Sequence, residues 1–187
     1  MIVPARLVRL LRHAARTAAL LAVLPPLALA APAHAARRVV VDGNDSTALA
    51  DLYRLTVKNG PVVKVVLRFD DLVRPATRAG QSAGIFIDTD RSRPGPEFGL
   101  GGGLNDGTDY QLGRMRRWTW VGDPLRCTYE GEFDWRKDTA TYLVSPECLG
   151  DYDRIRVGVE ASEYVEDEGV SDWLLGEKRF SAWVPRS

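Results

Sequence analysis

Histidine is almost missing from this chain: only His13 and His34 occur, and both stand within residues 1–35. That stretch has the order of a secretory signal peptide. Arg6, Arg9, Arg12 and Arg16 form a basic start, an Ala/Leu-rich apolar run follows over 17–30, and Ala33-His34-Ala35 makes a small-x-small cleavage site. The run is too short for a membrane anchor and is broken by Pro25-Pro26. Cleavage after Ala35 is expected, and the exported chain then works without imidazole. Ser-His-Asp and Cys-His catalysis go with it, and so does most zinc chemistry.

Cysteine is equally scarce. Cys127 and Cys148 are the only two, an even count that reads as one disulfide in an oxidising compartment, with a pair of free buried thiols as the rival. Closing a loop of about twenty residues stabilises a fold by about 3 kcal/mol on the chain-entropy account. The leader has no cysteine to accept lipid, and no second long apolar run follows, so a released product without a membrane anchor is expected. Basic and acidic residues balance at 25 each. Four of the arginines leave with the leader and no acid does, which makes the exported chain net acidic by four. Overall charge therefore gives no reason to expect nucleic acid as a partner.

Long segments of helical period are also lacking, and no internal repeat is visible. The pattern is period two instead. Residues 36–50 read as a flexible N-terminal arm, and a single domain over 51–187 follows. Tyr53, Leu55 and Val57 alternate with polar neighbours up to Asn59-Gly60, and Val63, Val65, Leu67 and Phe69 alternate after it, which is a hairpin signature. Residues 84–88 make a short strand apolar on both sides, suited to a central position. Residues 89–108, rich in glycine, read as a long loop. Strands are expected across 109–121, around Cys127 to Trp135, over 139–144 and 155–160, and last over 180–184. Residues 146–150 suggest one helical turn, and the acidic run 163–168 suggests a solvated loop. Short strands separated by turns make an antiparallel two-layer β-sandwich, jelly-roll or immunoglobulin-like, with a β-barrel as the alternative. The expected core includes Tyr53, Leu55, Val65, Leu67, Ile85, Ile87, Phe133, Ile155, Val157 and Val159.

The densest polar constellation is Asp88-Thr89-Asp90 running into Glu97, followed by Asn105-Asp106-Gly107-Thr108-Asp109-Tyr110. Oxygen ligands at alternate positions on a bending backbone suit a structural calcium ion, with Asp88 and Asp90 as ligands and Glu97 or Asp109 helping. The competing reading makes Asp88 and Asp90 Asx-turn formers bonded to their own loop.

Around these residues, IFIDTDRSRPGPEFGL and DGTDYQLGRM resemble secreted actinobacterial proteins of uncharacterised function. More remotely they are similar to the β-sandwich superfamily of DOMON domains and family-nine carbohydrate-binding modules. DLYRLTVKNG and SPECLGDYDRIRVGVEA fit the same scheme. The resemblance implies an extracellular binding module for sugar or haem, with calcium near Asp88 and Asp90. Haem is not expected, because Met115 is the only methionine beyond the leader and no histidine accompanies it.

Sugar binding needs flat aromatic faces, and Trp118, Trp120, Trp135 and Trp173 are the candidates. The alternative places the first three in the core. Trp173, in an acidic context, reads equally as contact surface or core. A carboxylate glycosidase would need a pair such as Glu97 with Asp109 or Glu130 with Glu132 in a cleft, and the latter pair alternates on a solvated strand face. Catalysis is not expected. The reading favours a secreted non-catalytic module for carbohydrate or cell-envelope glycan. The alternative is an extracellular structural or protein-interaction domain without a small ligand.

Overall fold

The computed structural model describes residues 36–43, 51–72, 80–104, 109–165 and 168–187. The leader, and the stretch 105–108 of the polar constellation, lie outside them. The strands are β1 (Ala36–Val41), β2 (Leu52–Asn59), β3 (Val63–Phe69), β4 (Ser82–Asp88), β5 (Phe98–Gly103) and β6 (Gln111–Arg116). They continue as β7 (Thr119–Val121), β8 (Tyr129–Asp134), β9 (Thr139–Val144), β10 (Arg154–Val165), β11 (Glu168–Trp173) and β12 (Val184–Pro185). Helix is limited, among the described residues, to one 3₁₀ turn over Pro146–Cys148, where a helical turn is expected.

All pairings are antiparallel. The smaller sheet has the order β1-β2-β3-β9-β8, and the larger has β11-β10-β4-β5-β6-β7 with β12 added along β10. The two sheets pack face to face as a sandwich, and no barrel closes. Alternation decides which side chains meet. Leu55, Val57, Val65, Leu67 and Tyr142 point in from the smaller sheet, and Ile85, Ile87, Leu100, Ile155 and Val157 meet them from the larger. Each fully buried aliphatic of this kind contributes about 1.5–3 kcal/mol relative to exposure. Tyr110 wedges between the layers, its ring 3.0 Å from where a Cβ would stand on Gly102 of one sheet and on Gly131 of the other.

Several expectations are corrected. The arm supplies a strand: Ala36–Val41 pairs with β2 along its whole length. Glycine-rich 98–103, read as loop, is the strand beside central β4. The acidic run is no loop at its start, since β10 extends to Val165 and β11 begins at Glu168. Glu163 turns inward there and accepts a hydrogen bond from Gln81 Nε2 at 3.2 Å. Tyr53 leaves the core, at 38% exposure, because a register shift between Leu52 and Arg54 breaks the alternation. Phe133 is half-buried at the margin of the core.

The hairpin around Asn59-Gly60 forms, but not by the usual Asn-Gly turn. Asn59 is fully buried and ties the C-terminal segment to it: its Nδ2 donates to the Val184 carbonyl at 2.9 Å, and its Oδ1 accepts from the Tyr152 hydroxyl at 3.3 Å. Cys127 and Cys148 are bonded, Cα to Cα 5.7 Å. Cys127 sits just ahead of β8 rather than on a strand, so the bond closes the open end of the β8–β9 hairpin within one sheet.

Candidate ligand-binding face

Antiparallel register builds the outer face of the larger sheet from an unusual set of residues. Gly158 of β10, Phe86 of β4, Gly99 of β5 and Gly113 of β6 stand in one row. Trp173, Glu160, Gly84, Gly101 and Gln111 stand in the next. Rows so poor in side chains leave the backbone bare, and rings from neighbouring segments lie on it.

Trp120 on β7 covers Gly99 and Gly113. A Cβ on Gly113 would stand 2.8 Å from its ring, and one on Gly99 would stand 2.7 Å from Met115 Sδ. The ring is nonetheless 50% exposed, offering its other side to solvent. Trp118 reaches the same row from the turn between β6 and β7. Arg117 and Trp118 both have positive φ, 49° and 69°, as a two-residue hairpin turn matched to strand twist requires. Such values are costly for a bulky residue and persist only where packing enforces them. Here the Trp118 ring sits 4.9 Å from Phe180 and 5.1 Å from Phe86, centroid to centroid.

Trp173 stacks nearly parallel on Phe86, 5.4 Å away at 13°, and meets Trp118 edge-on at 71°. Three of the four candidate tryptophans, Trp118, Trp120 and Trp173, thus share one face. Trp118 and Trp173 are not coplanar, and the parallel partner of Trp173 is Phe86. Trp135 is elsewhere, half-buried beside Phe133 at the β8–β9 turn.

Polar groups flank the rings. Glu160 Oε1 accepts a hydrogen bond from Ser171 Oγ at 2.9 Å, and the Ser82 and Ser162 hydroxyls are bonded at 2.7 Å. Two depressions result, and both include Phe86 and Glu160. One, of about 560 Å³, lies among Trp118, Trp173, Ser171 and Lys178. The other, of about 160 Å³, is floored by Gly84 and Gly101 and runs to Trp120.

The aspartate-rich turn lies at one end of this face, and its carboxylates are engaged locally. Asp88 is fully buried: Oδ2 accepts from Arg156 Nε at 2.7 Å and Nη2 at 2.5 Å, and Oδ1 accepts from the Asp90 N–H at 3.0 Å. Asp90 Oδ1 accepts from the Ser92 N–H at 2.9 Å and hydroxyl at 2.6 Å, bonds that hold its carboxyl below the usual aspartate range. Glu97 Oε2 accepts from the Thr89 N–H at 2.8 Å, and burial pushes its carboxyl up. Asp109 is far away. Its carbonyl lies by Gly102, which pairs with Ala83 at the opposite end of β4 from Asp88, about 16 Å off at strand rise. Asp109 therefore joins neither a calcium site with Asp88 nor a catalytic pair with Glu97. No group of three acidic, cysteine or histidine side chains suited to a metal ion occurs among the described residues. The geometry is that of Asx-turns, with the Arg156 guanidinium where a cation would otherwise stand.

Arg156 has further partners that sequence reasoning missed. Its guanidinium lies 4.6 Å from the Phe180 ring and 4.7 Å from the Trp183 ring, and Arg91 stacks on Trp183 at 5.0 Å. Trp118, Phe180, Arg156, Trp183 and Arg91 thereby form a continuous ladder bracing the C-terminal segment against β10. Glu160 and Phe86 were missed as site residues too. The outward phase of β4 and β10 was the one available signal for them, because 84, 86 and 88, and 156, 158 and 160, must share a face.

Comparison with protein-family models, with curated proteins and with solved structures finds no match to this chain. The class defined by fold and face is a two-layer β-sandwich carrying an aromatic platform on one sheet.

Proposed function

We propose that this chain is an exported, non-catalytic module that binds a glycan across the outer face of its larger sheet. The observation that carries the reading is Trp120, half exposed over a glycine floor, with Glu160 and serine hydroxyls beside it. A pyranose has an apolar face for such a ring and hydroxyls for such acceptors and donors, whereas a fully polar or fully apolar ligand would leave half of these groups unused. The resemblance to carbohydrate-binding sandwiches points the same way.

Export rests on the leader pattern together with the disulfide. No helix among the described residues is long and apolar enough to cross a membrane. Cleavage after Ala35 would leave β1 whole, because that strand begins at Ala36. Calcium and haem have no part in this reading: the rings are positioned by glycine rows and by the Arg156 ladder.

Titration of intact protein with a panel of soluble polysaccharides, followed by tryptophan fluorescence and calorimetry, is the test. At least one polymer should bind, and Trp120→Ala should weaken it about tenfold or more, about 1.4 kcal/mol. A blank panel favours the interaction-domain reading. Unchanged affinity in a Trp120→Ala/Trp173→Ala variant would remove the platform from consideration.

A further inference from the structure

The two depressions of the aromatic face share one charged side chain, Glu160, and strand register sets it between unlike rows. Glu160 of β10 stands opposite Trp173 of β11 on one side and Gly84 of β4 on the other, with Gly101 of β5 beyond. The row of Phe86 runs along one flank. Along the other flank Ser171, Ser162 and Ser82 stand in register. The half-buried Glu160 carboxylate accepts a hydrogen bond from the Ser171 hydroxyl at 2.9 Å and forms no ion pair among the described residues. Among those residues it is the one charged group lining the smaller depression, which reaches Trp120. In the larger depression the other charged groups are Glu177 and Lys178, and they pair with each other at 2.9 Å. One negative charge is left over on a face otherwise made of rings, hydroxyls and bare backbone.

A carboxylate partly withdrawn from water is best met by a cation, and aromatic rings attract ammonium groups while repelling anions. Gly84 leaves the place next to Glu160 open. A Cβ there would stand 3.8 Å from Phe86 Cζ and 4.0 Å from the Leu100 carbonyl oxygen, with nothing nearer. The space over Gly99 and Gly113, by contrast, is filled by Trp120 and Met115. Resting on the glycan reading above, we infer that the ligand carries free amino groups: an amino-sugar unit lies over Gly84, its ammonium held by Glu160 beside the Phe86 ring, and the sugar chain continues over Gly101 to Trp120.

The experiment compares a glucosamine hexamer with its fully N-acetylated counterpart by calorimetry on the intact protein, at low and moderate salt, with hexalysine as a cation of another class. Below the pKa of the sugar amine the free-amine hexamer should bind about tenfold tighter, and added salt should narrow the gap. Raising the pH through that pKa should abolish the preference in wild type, and no histidine beyond His34 titrates alongside. Glu160→Gln should abolish it too, with the melting temperature kept because the amide oxygen still accepts from Ser171. Trp120→Ala should weaken both hexamers alike. Equal binding of the two hexamers, or a preference that survives either the pH change or Glu160→Gln, overturns the amino-sugar inference and leaves the glycan platform standing. The same holds if a polysaccharide of the panel above binds and neither hexamer does. Hexalysine binding as tightly as the free-amine hexamer overturns the inference too, because Glu160 would then read charge alone. If no glycan binds, or if Trp120→Ala changes nothing, the platform itself falls.

Discussion

Gly113 and Gly99 matter for what they omit. A methyl on either would occupy space now held by the Trp120 ring or Met115 Sδ. Overpacking in a core costs about 1–3 kcal/mol, but a half-exposed ring has somewhere to go. Gly113→Ala is therefore expected to cost about 1 kcal/mol or less, with Trp120 swung into solvent, red-shifted emission and about tenfold weaker ligand binding. A large loss of stability with unchanged binding would contradict that. Asp88 behaves oppositely. Its buried carboxylate faces a guanidinium that is 30% exposed, so Asp88→Asn should cost about 2 kcal/mol, less than for a wholly buried pair. Melts of the wild type in calcium and in chelator should coincide, because Arg156 already neutralises the site; a chelator-induced drop would restore the calcium reading. Glu97 gives a pH signature. Burial raises its pKa above the ordinary 4.5, so the folded chain keeps this proton to higher pH than the unfolded chain does. Its contribution to stability falls as pH rises through the window above 4.5. Glu97→Gln should melt like wild type at about pH 4 and higher at about pH 7. None of these pairings could be read from sequence. Arg156 and Asp88 are far apart in the chain, and only strand register makes them neighbours.

Strands were legible wherever one face is apolar and the other polar. The β2–β3 and β8–β9 hairpins and most of β10 followed from alternation alone. The failures share a physical cause. In β5, glycine stands where the alternation needs an outward side chain, so a strand whose outer face is covered by rings from elsewhere looks like a loop. In β10 the alternation persists into the acidic run, with Glu163 satisfied by Gln81, and composition hid it. In β2 a single register shift moved Tyr53 from the core to the surface, where it lies under Arg68 at 6.0 Å. The disulfide was legible as a pair but not as to its place. It joins the lead-in of β8 to the exit of β9, across a sequence separation of 21. Reduction should cost about 3 kcal/mol on the chain-entropy account, or about 6–12 °C in melting temperature for a domain of this size. A reduced protein melting with the oxidised one would show that the unfolded chain is already constrained there.

The molecule is asymmetric between its two outer faces. The smaller sheet turns out Arg54, Lys58, Lys64, Arg68, Glu130 and Glu132, a solvated surface of mixed sign. The larger sheet turns out rings and glycines. The cystine and the proposed ligand-binding face thereby lie on opposite layers, with the hydrophobic core between them. One connection runs from Trp120 to Cys127 through the segment after β7, and it is pinned before the cystine: the Leu125 N–H donates to the Leu112 carbonyl of β6 at 2.7 Å. Loss of the disulfide should free the ends of β8 and β9 without releasing β7. Reduced and oxidised protein, compared at a temperature where both remain folded, should bind the same polysaccharide with dissociation constants within about twofold, although their melting temperatures differ. Saturation at about a hundred times the dissociation constant should raise both melts by the equivalent of about 2.7 kcal/mol, since that increment depends on affinity alone. A reduced form that is folded yet loses tenfold or more in affinity would mean that the cystine holds the Trp120 hairpin in place and that the layers are not independent.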